Sequence, residues 1–527
     1  MRLPPEILCH IFELLRDEYM MVETESSPRG PLDQGEPKLF GWMSILQVCQ
    51  HWNAVAKSHP ALWSYLLCDA RPAVTALPVD ARQTYLETFL RLSGDAPLKV
   101  SFSGTMLRDP GTVARPELVH TITATFTRMH RFRELQLADR VDASFLTLPA
   151  PRLTALALYN CTIVAATPTQ EMLFGGDLSG LRSLAFDDVQ LQIDISRFLP
   201  SNYHNLRQLH LGAVHAGLLD GLLSRLSETP LLEDLKLTEV HISTLKRRQR
   251  TELLILPRLK HLALGRVVGA HNLLDFLGVP DGVMIALFAT PYKDNLILPT
   301  DPRRFAGFQK MRKMKLRYPP KGSRFGRLLA ISETSALETD VEFRSDQPLG
   351  SKMRNMMDTV EEFWIEGHYN SQQLDVADSR QWGRIEIPGL RRLVLDVDVD
   401  DVYSLQSCLE AFMPDAGKTC SCPLLELLEI RVRSLTKAII HQLWELLVTR
   451  MRRGSRVKKL RIGRFASTVP TDQTPVPHRK RETRESLENL VDELELVDEE
   501  TLPRMGTVPV CVTPSTGAWT WQFWDDA

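Results

Sequence analysis

Leu232-Glu233-Asp234-Leu235-Lys236-Leu237 sets three leucines in the spacing LxxLxL, and the same phrase returns along much of the chain. It recurs as Leu153, Leu156, Leu158; as Leu181, Leu184, Phe186; as Leu206, Leu209, Leu211; and as Leu259, Leu262, Leu264. Alternation over the last residues of each phrase is the period of a strand, whose successive side chains point to opposite faces. Each phrase therefore predicts a short strand with its leucines inward and the intervening residues outward, among them Asp234, Lys236 and Thr238, or His261 and Ala263. Helical returns lie between phrases: Leu218 to Leu226 closed by Pro230, and Leu273 to Leu277 closed by Gly278. Strand, turn, helix and strand in succession predict a right-handed parallel crossover, repeated.

The phrases start roughly 25 to 28 residues apart, the range of leucine-rich repeats. The asparagine usual in such repeats is absent, so the resemblance is to the degenerate, cysteine-type repeats often joined to F-boxes. Looser copies follow at Met311, Met314, Leu316; Val360, Phe363, Ile365; Leu390, Leu393, Leu395; Leu425, Leu428, Ile430; Val457, Leu460, Ile462; and Val491, Leu494, Leu496. The expectation is an α/β chain with a leucine-rich-repeat-like solenoid of parallel strands and helices over 132–497. An unrelated α/β domain with leucine-rich strands is the alternative. Residues 498–527, with Trp519, Trp521, Phe523 and Trp524, are expected to form a tail or cap.

The N-terminus has a different pattern. Leu3-Pro4-Pro5-Glu6-Ile7-Leu8 leads into Ile11-Phe12, and Ile45-Leu46-Gln47-Val48-Cys49-Gln50-His51-Trp52 leads to Pro60-Ala61-Leu62-Trp63. Prolines that pre-set φ and apolar residues at three- and four-residue steps predict three short helices. In order, LPxE, IF, VCxxW and PxLW resemble an F-box, the helical motif that docks the Skp adaptor of SCF-type ubiquitin ligases. The match covers 1–67, with a Pro-, Gly-, Glu- and Ser-rich loop insertion expected at about 16–41 and a helix and strand connector at 68–131. The layout resembles the expanded fungal F-box families.

Composition narrows the alternatives. Hydrophobic residues make up 43% and charged residues 24%, which is ordinary for a globular chain and unlike a disordered one. Lys+Arg 63 against Asp+Glu 65 gives net charge -2, so global charge supports neither nucleic acid nor membrane as a partner. Eight cysteines without framework spacing suit a reducing compartment, and the expected location is cytoplasmic, nuclear or both. No Walker loop, dinucleotide fingerprint, nucleophile elbow or HExxH is present, so no catalytic residue, metal or cofactor is nominated.

The resemblance thus implies a non-catalytic substrate-receptor subunit that binds the Skp adaptor, through it a cullin, and an unknown protein substrate. It assigns Leu3, Pro4, Ile7, Leu8, Ile11, Phe12, Val48, Cys49, Trp52, Leu62 and Trp63 to the adaptor, some also packing the motif's own core. Outward strand positions nominate Lys313, Lys315, Arg317, Asp396, Asp398, Lys459 and Arg461 for the substrate, the first three as a basic cluster suited to a phosphorylated or acidic segment. Two rivals are an interaction scaffold without a ligase role and an enzyme with an unrecognised site in the solenoid or around Asp301 to Phe308.

Overall fold

A computed structural model of the chain describes residues 3–25, 38–68, 79–103, 123–142, 146–164, 173–191, 204–214, 225–242, 254–268, 270–288, 310–317, 325–342, 357–368, 386–398, 409, 412, 422–432, 437–464 and 487–498. They fall into two compact units, one of 3–242 with 256–258 and one of 254–255 with 259–498. The expected loops at 301–308, the helix around 218–223, the basic run at 479–481 and the tail from 499 onward lie outside the described residues.

The first unit begins with α1 (Pro5–Glu25), a 3-10 turn over Lys38–Ser44, α2 (Ile45–Val48), α3 (Gln50–Lys57) and a second 3-10 turn over Pro60–Trp63. Helix α1 continues to Glu25, so the first part of the segment expected as a loop is helical. The helix expected to run through Ile45 and Val55 is broken at Cys49, whose extended backbone (φ -163, ψ 167) ends α2. The Cys49 Sγ then accepts the Trp52 N–H at 3.5 Å and caps α3.

Aromatic rings fill this small interior, where short helices alone would bury little. Phe12 stands 5.3 Å from Trp52, while Trp63 meets Trp42 at 5.5 Å and Phe89 at 5.1 Å. Phe89 comes from α4 (Val79–Leu92), and the Trp63 indole N–H donates to the Ala56 carbonyl at 2.8 Å. Buried Arg16 reaches from α1 to the Ala61 carbonyl at 2.7 Å, and His59 Nε2 lies 2.7 Å from Glu13 Oε1. These bonds tie α1 to the second 3-10 turn.

The chain then passes directly into β1 (Tyr65–Cys68), which pairs in parallel with β2 (Leu98–Ser103). The parallel ladder therefore starts well before residue 132, through the segment expected to be a connector. It continues with β3 (Phe132–Asp142), β4 (Ala155–Val164), β5 (Ser183–Asp187), the short β6 (Gln190–Leu191) beside β4, β7 (Gln208–Gly212) and β8 (Asp234–Thr238). The phrases stack in register: Leu156, Leu184, Leu209 and Leu235 are successive partners, as are Leu158, Phe186, Leu211 and Leu237. All eight are buried, each contributing roughly 1.5–3 kcal/mol of transfer free energy.

The backbone repeats along with the leucines. Asn160, Asp188, Ala213 and Glu239, each at the same offset from the start of its phrase, take positive φ of 43, 48, 46 and 54. Arg266 does so in the second unit, with φ 51. A left-handed residue costs a non-glycine side chain about 1–2 kcal/mol, and here its amide is used: Asp188 N–H donates to Gly212 O at 2.9 Å, and Ala213 N–H to Thr238 O at 2.8 Å.

The second unit has β9 (Leu254–Ile255) paired with β11 (Leu277–Gly278), and between them β10 (His261–Gly265) and α5 (Ala270–Phe276). The remaining strands are β12 (Met284–Phe288), β13 (Lys313–Arg317), β14 (Phe325–Ile331), β15 (Ala336–Glu342), β16 (Glu362–His368), β17 (Arg392–Asp398), β18 (Leu427–Val432), β19 (Lys459–Arg464) and β20 (Glu493–Asp498). Helix α6 (Lys437–Arg452) precedes β19 and buries Ile439, Leu443, Leu446 and Leu447.

The spatial order from β10 is β12, β15, β14, β13, β16, β17, β18, β19, β20. Pairing is parallel except where β13, β14 and β15 form an antiparallel meander, and the sequence reading did not anticipate β12, β14 or β15. Both units are thus mixed α/β with mostly parallel strands, and the first carries a helical N-terminus.

Candidate functional site

Two surfaces carry the residues nominated from the sequence. The first is α1. Its apolar residues, read from the sequence as one face, form two: Leu8 and Phe12 are 0% exposed inside the helical core, while Ile7 is 50% and Ile11 40% exposed. Leu14 is also exposed, so Ile7, Ile11 and Leu14 form an outer stripe of α1 at four- and three-residue steps, with exposed Leu3 just before the helix. The break at Cys49 leaves Val48 and Cys49 outside as well, and Pro4 is exposed. Leu62 and Trp63 are interior, and Trp52 is half-buried against Phe12.

Of the residues assigned to the adaptor, then, Leu8, Phe12, Leu62 and Trp63 build the scaffold instead of the surface. Leu14 belongs to the outer stripe and was not nominated. Its sequence signal was the spacing 7, 11, 14, and only packing, which leaves these residues exposed, separates that stripe from Leu8 and Phe12.

The second surface is the non-leucine face of the sheet in the second unit. Strand register lines up Lys313, Glu362, Arg392, Leu427, Lys459 and Glu493 in one row across β13, β16, β17, β18, β19 and β20. The next row reads Lys315, Trp364, Val394, Glu429, Arg461 and Glu495, and the third begins Arg317, Glu366, Asp396, Arg431. Opposite charges pair across these rows, in a network centred on Glu429 and a smaller cluster around Glu366.

At its centre Glu429 is fully buried, with Arg392 at 3.0 Å, Arg431 at 2.8 Å and Arg461 at 3.6 Å. The Arg392 and Arg431 guanidinium groups each lie 5.1 Å from the Trp364 ring centroid, and the indole N–H of Trp364 donates to Glu362 at 2.6 Å. Burial on this scale is tolerated only because each charge is matched and hydrogen-bonded.

The expected basic cluster is already paired on this face. Lys313 pairs with Glu362 at 3.4 Å, and Lys315 and Arg317 pair with Glu366 at 2.6 and 3.2 Å. Burial pushes the Glu366 carboxyl up, but hydrogen bonds and charge from Lys315 and Arg317 outweigh it and hold the group below its ordinary value. A phosphate approaching these cations would compete with carboxylates already in place. Asp396 pairs with Arg431 at 3.0 Å, yet burial still raises its carboxyl above the ordinary value. Asp398 ends β17, and its side chain lies outside the described residues.

Lys459 binds Glu493 at 2.8 Å and Glu495 at 2.5 Å, and Arg461 binds Glu495 at 2.8 Å. Hydrogen bonds from Lys459 and Arg461 hold the Glu495 carboxyl down at about 2.

An open groove of about 450 Å³ lies in the second unit, with Lys310, Arg312, Glu333, Asp358, Glu361 and Arg391 in its lining. Two of its hydroxyls are turned to backbone carbonyls, Ser332 to Ser335 O at 3.1 Å and Thr359 to Met311 O at 2.9 Å. Among the described residues no group of three His, Cys, Asp or Glu is placed to hold a metal, and no helix is long and apolar enough to cross a membrane.

A family model described as F-box-like matches residues 1–69, the segment that ends where β1 closes. No curated protein matches the chain. The N-terminus is therefore an F-box-like domain, and F-box domains generally bind Skp1-type adaptors.

Proposed function

We propose that this chain is a non-catalytic substrate-receptor subunit of an SCF-type ubiquitin ligase, working in the cytoplasm, the nucleus or both. The outer stripe of α1, with Val48 and Cys49, docks the Skp adaptor and through it a cullin. The repeated strands, read as a leucine-rich-repeat-like solenoid, bind the protein to be ubiquitinated. On this reading the subunit supplies proximity and orientation, and the bond chemistry belongs to the enzymes it assembles.

The observation that carries the proposal is the exposure of Ile7 and Ile11 on a helix whose other apolar face is already buried by Leu8 and Phe12, within a segment that matches an F-box-like model. A repeated backbone turn at Asn160, Asp188, Ala213, Glu239 and Arg266 supports the solenoid part.

The test is co-purification of the intact chain and of an Ile7→Asp, Ile11→Asp variant with a Skp adaptor and a cullin. The intact chain should capture both. The variant should keep its melting temperature and lose adaptor affinity by at least about thirtyfold, as expected for two central apolar anchors. A folded intact chain that captures neither partner would overturn the proposal, and capture of the adaptor without the cullin would favour the scaffold reading.

A further inference from the structure

Strand β20 is where the alternation of charge across the second unit stops. Among the described residues it is hydrogen-bonded on one side only, to β19, with Lys459 opposite Glu493 and Arg461 opposite Glu495. In the two rows that Glu493 and Glu495 end, the interior carboxylate is shared between cations of both flanking strands: Glu362 by Lys313 and Arg392, Glu429 by Arg392 and Arg461. Among the described residues, Glu493 and Glu495 receive cations from β19 alone.

The leucine face shows the same deficit. Leu393, Leu395, Leu428, Ile430, Leu460 and Ile462 are at most 1% exposed, whereas Leu496 at the corresponding place on β20 is 53% exposed and Leu494 half-buried. Among the described residues, both faces of the edge are one strand short.

We infer that the free edge of β20 receives an extended segment of a partner protein, added as a further strand in which basic residues alternate with aliphatic ones. The basic side chains take the open side of Glu493 and Glu495, continuing the alternation, and the aliphatic ones cover Leu494 and Leu496. Main-chain hydrogen bonds supply affinity and the two-residue period supplies selectivity.

Charge argues against the other occupants. A second copy pairing through β20 would set glutamates against glutamates. The chain beyond Asp498 has Arg504 as its sole cation, against Glu499, Glu500, Asp525 and Asp526. Arg479-Lys480-Arg481 is basic without alternation, so one cation of the three would fall on the leucine face. None of this depends on the ligase reading.

The experiment measures binding of three eight-residue probes to the full chain at physiological salt, by fluorescence anisotropy with amide hydrogen exchange of 493–498. The probes are alternating Lys and Val, alternating Glu and Val, and four Lys followed by four Val. The first should bind at least tenfold tighter than either other and slow exchange in 493–498. Glu493→Gln with Glu495→Gln should weaken it at least fivefold in a chain of unchanged fold, and Leu496→Asp, at an exposed position, should do the same independently.

Equal affinity for the alternating and block Lys probes would reduce the effect to charge attraction and overturn the inference. So would an intact, folded chain that binds no probe and shows no change in exchange. Binding that arises only after Arg479, Lys480 and Arg481 are changed to Ser, or after 499–527 is removed, would show the edge occupied by the chain itself and would equally overturn it.

Discussion

The two units carry the same leucine ladder and opposite second faces. Across β2, β3, β4, β5, β7 and β8 the middle outward row of the first unit reads Ser101, Gln136, Ala157, Ala185, His210 and Lys236, of which Ser101, Ala157, Ala185 and His210 are buried and only the last residue carries a formal charge at neutral pH. The matching row of the second unit reads Lys315, Trp364, Val394, Glu429, Arg461 and Glu495, and each of its charges is ion-paired, Lys315 with Glu366 of the next row, Glu429 with Arg461, and Arg461 with Glu495. The leucines set how strands stack, and the residues between them set what each face presents. The first unit's face sets small neutral groups beside separate charges such as Lys99, Glu134, Asp187 and Lys236, while the second unit's face is specific in register and, among the described residues, ends on an incomplete edge.

The sharpest way to break this comparison is at Glu429. Replacing it with Ala leaves Arg392, Arg431 and Arg461 facing one another around a fully buried site. A loss of about 3–5 kcal/mol is expected, the range for removing one partner of a buried ion pair. Glu429→Gln keeps one acceptor oxygen and the volume of the side chain while losing the charge and the second acceptor, and should lose less. Denaturant melts of both variants check this, and a loss below about 1 kcal/mol for the alanine would mean the network is solvated and worth little.

A smaller effect is expected at Gly212 in the first unit. A Cβ there would overlap Asp187 Oδ1 and come within 2.8 Å of Thr238 Oγ1. Gly212→Ala should therefore cost about 1–3 kcal/mol, the usual range for overpacking a closed site. If the small-residue face were loosely packed, the substitution would be silent in the same melts.

Legibility followed the range of the interactions. The LxxLxL phrases were readable because an inward leucine serves its own strand and both neighbours, so each of the eleven phrases named from the sequence coincides with a strand. The meander strands Phe325–Ile331 and Ala336–Glu342 carry no such phrase and were missed, although β14 pairs with β13 across only a short connection. On α1 the two apolar stripes were visible as one, since Ile7 and Leu8 are neighbours in sequence and only packing assigns them to opposite sides. The charge network was hardest. Lys315 and Glu366 are far apart in the chain and adjacent only through the register of β13 and β16, so three cations in one strand read as a free basic cluster.

The finest distinction between the faces is protonation. Burial, then repulsion from Asp188 and Glu239, raises Asp187 to about 6, with Lys236 opposing. Its folded value lies above the unfolded one, so the stability it gives is full below about pH 4 and lost as pH rises through 6. His210, on the same face, is driven by burial and then by Lys236 down to about 3. Its stability is full above the unfolded value and lost as pH falls from about 6.5 toward 3. Between pH 4 and 6 the two slopes oppose each other. Asp187→Asn should therefore stabilise the chain at pH 7 by on the order of 1 kcal/mol, after discounting for partial exposure, and by nothing at pH 4. It should also uncover the histidine slope, so that the variant loses stability steadily on acidification from pH 6.5 where the parent changes little. Melts of the two proteins from pH 4 to 8 decide the matter: an equal gain at both ends would mean that Asp187 is held by packing and not by the cost of its charge.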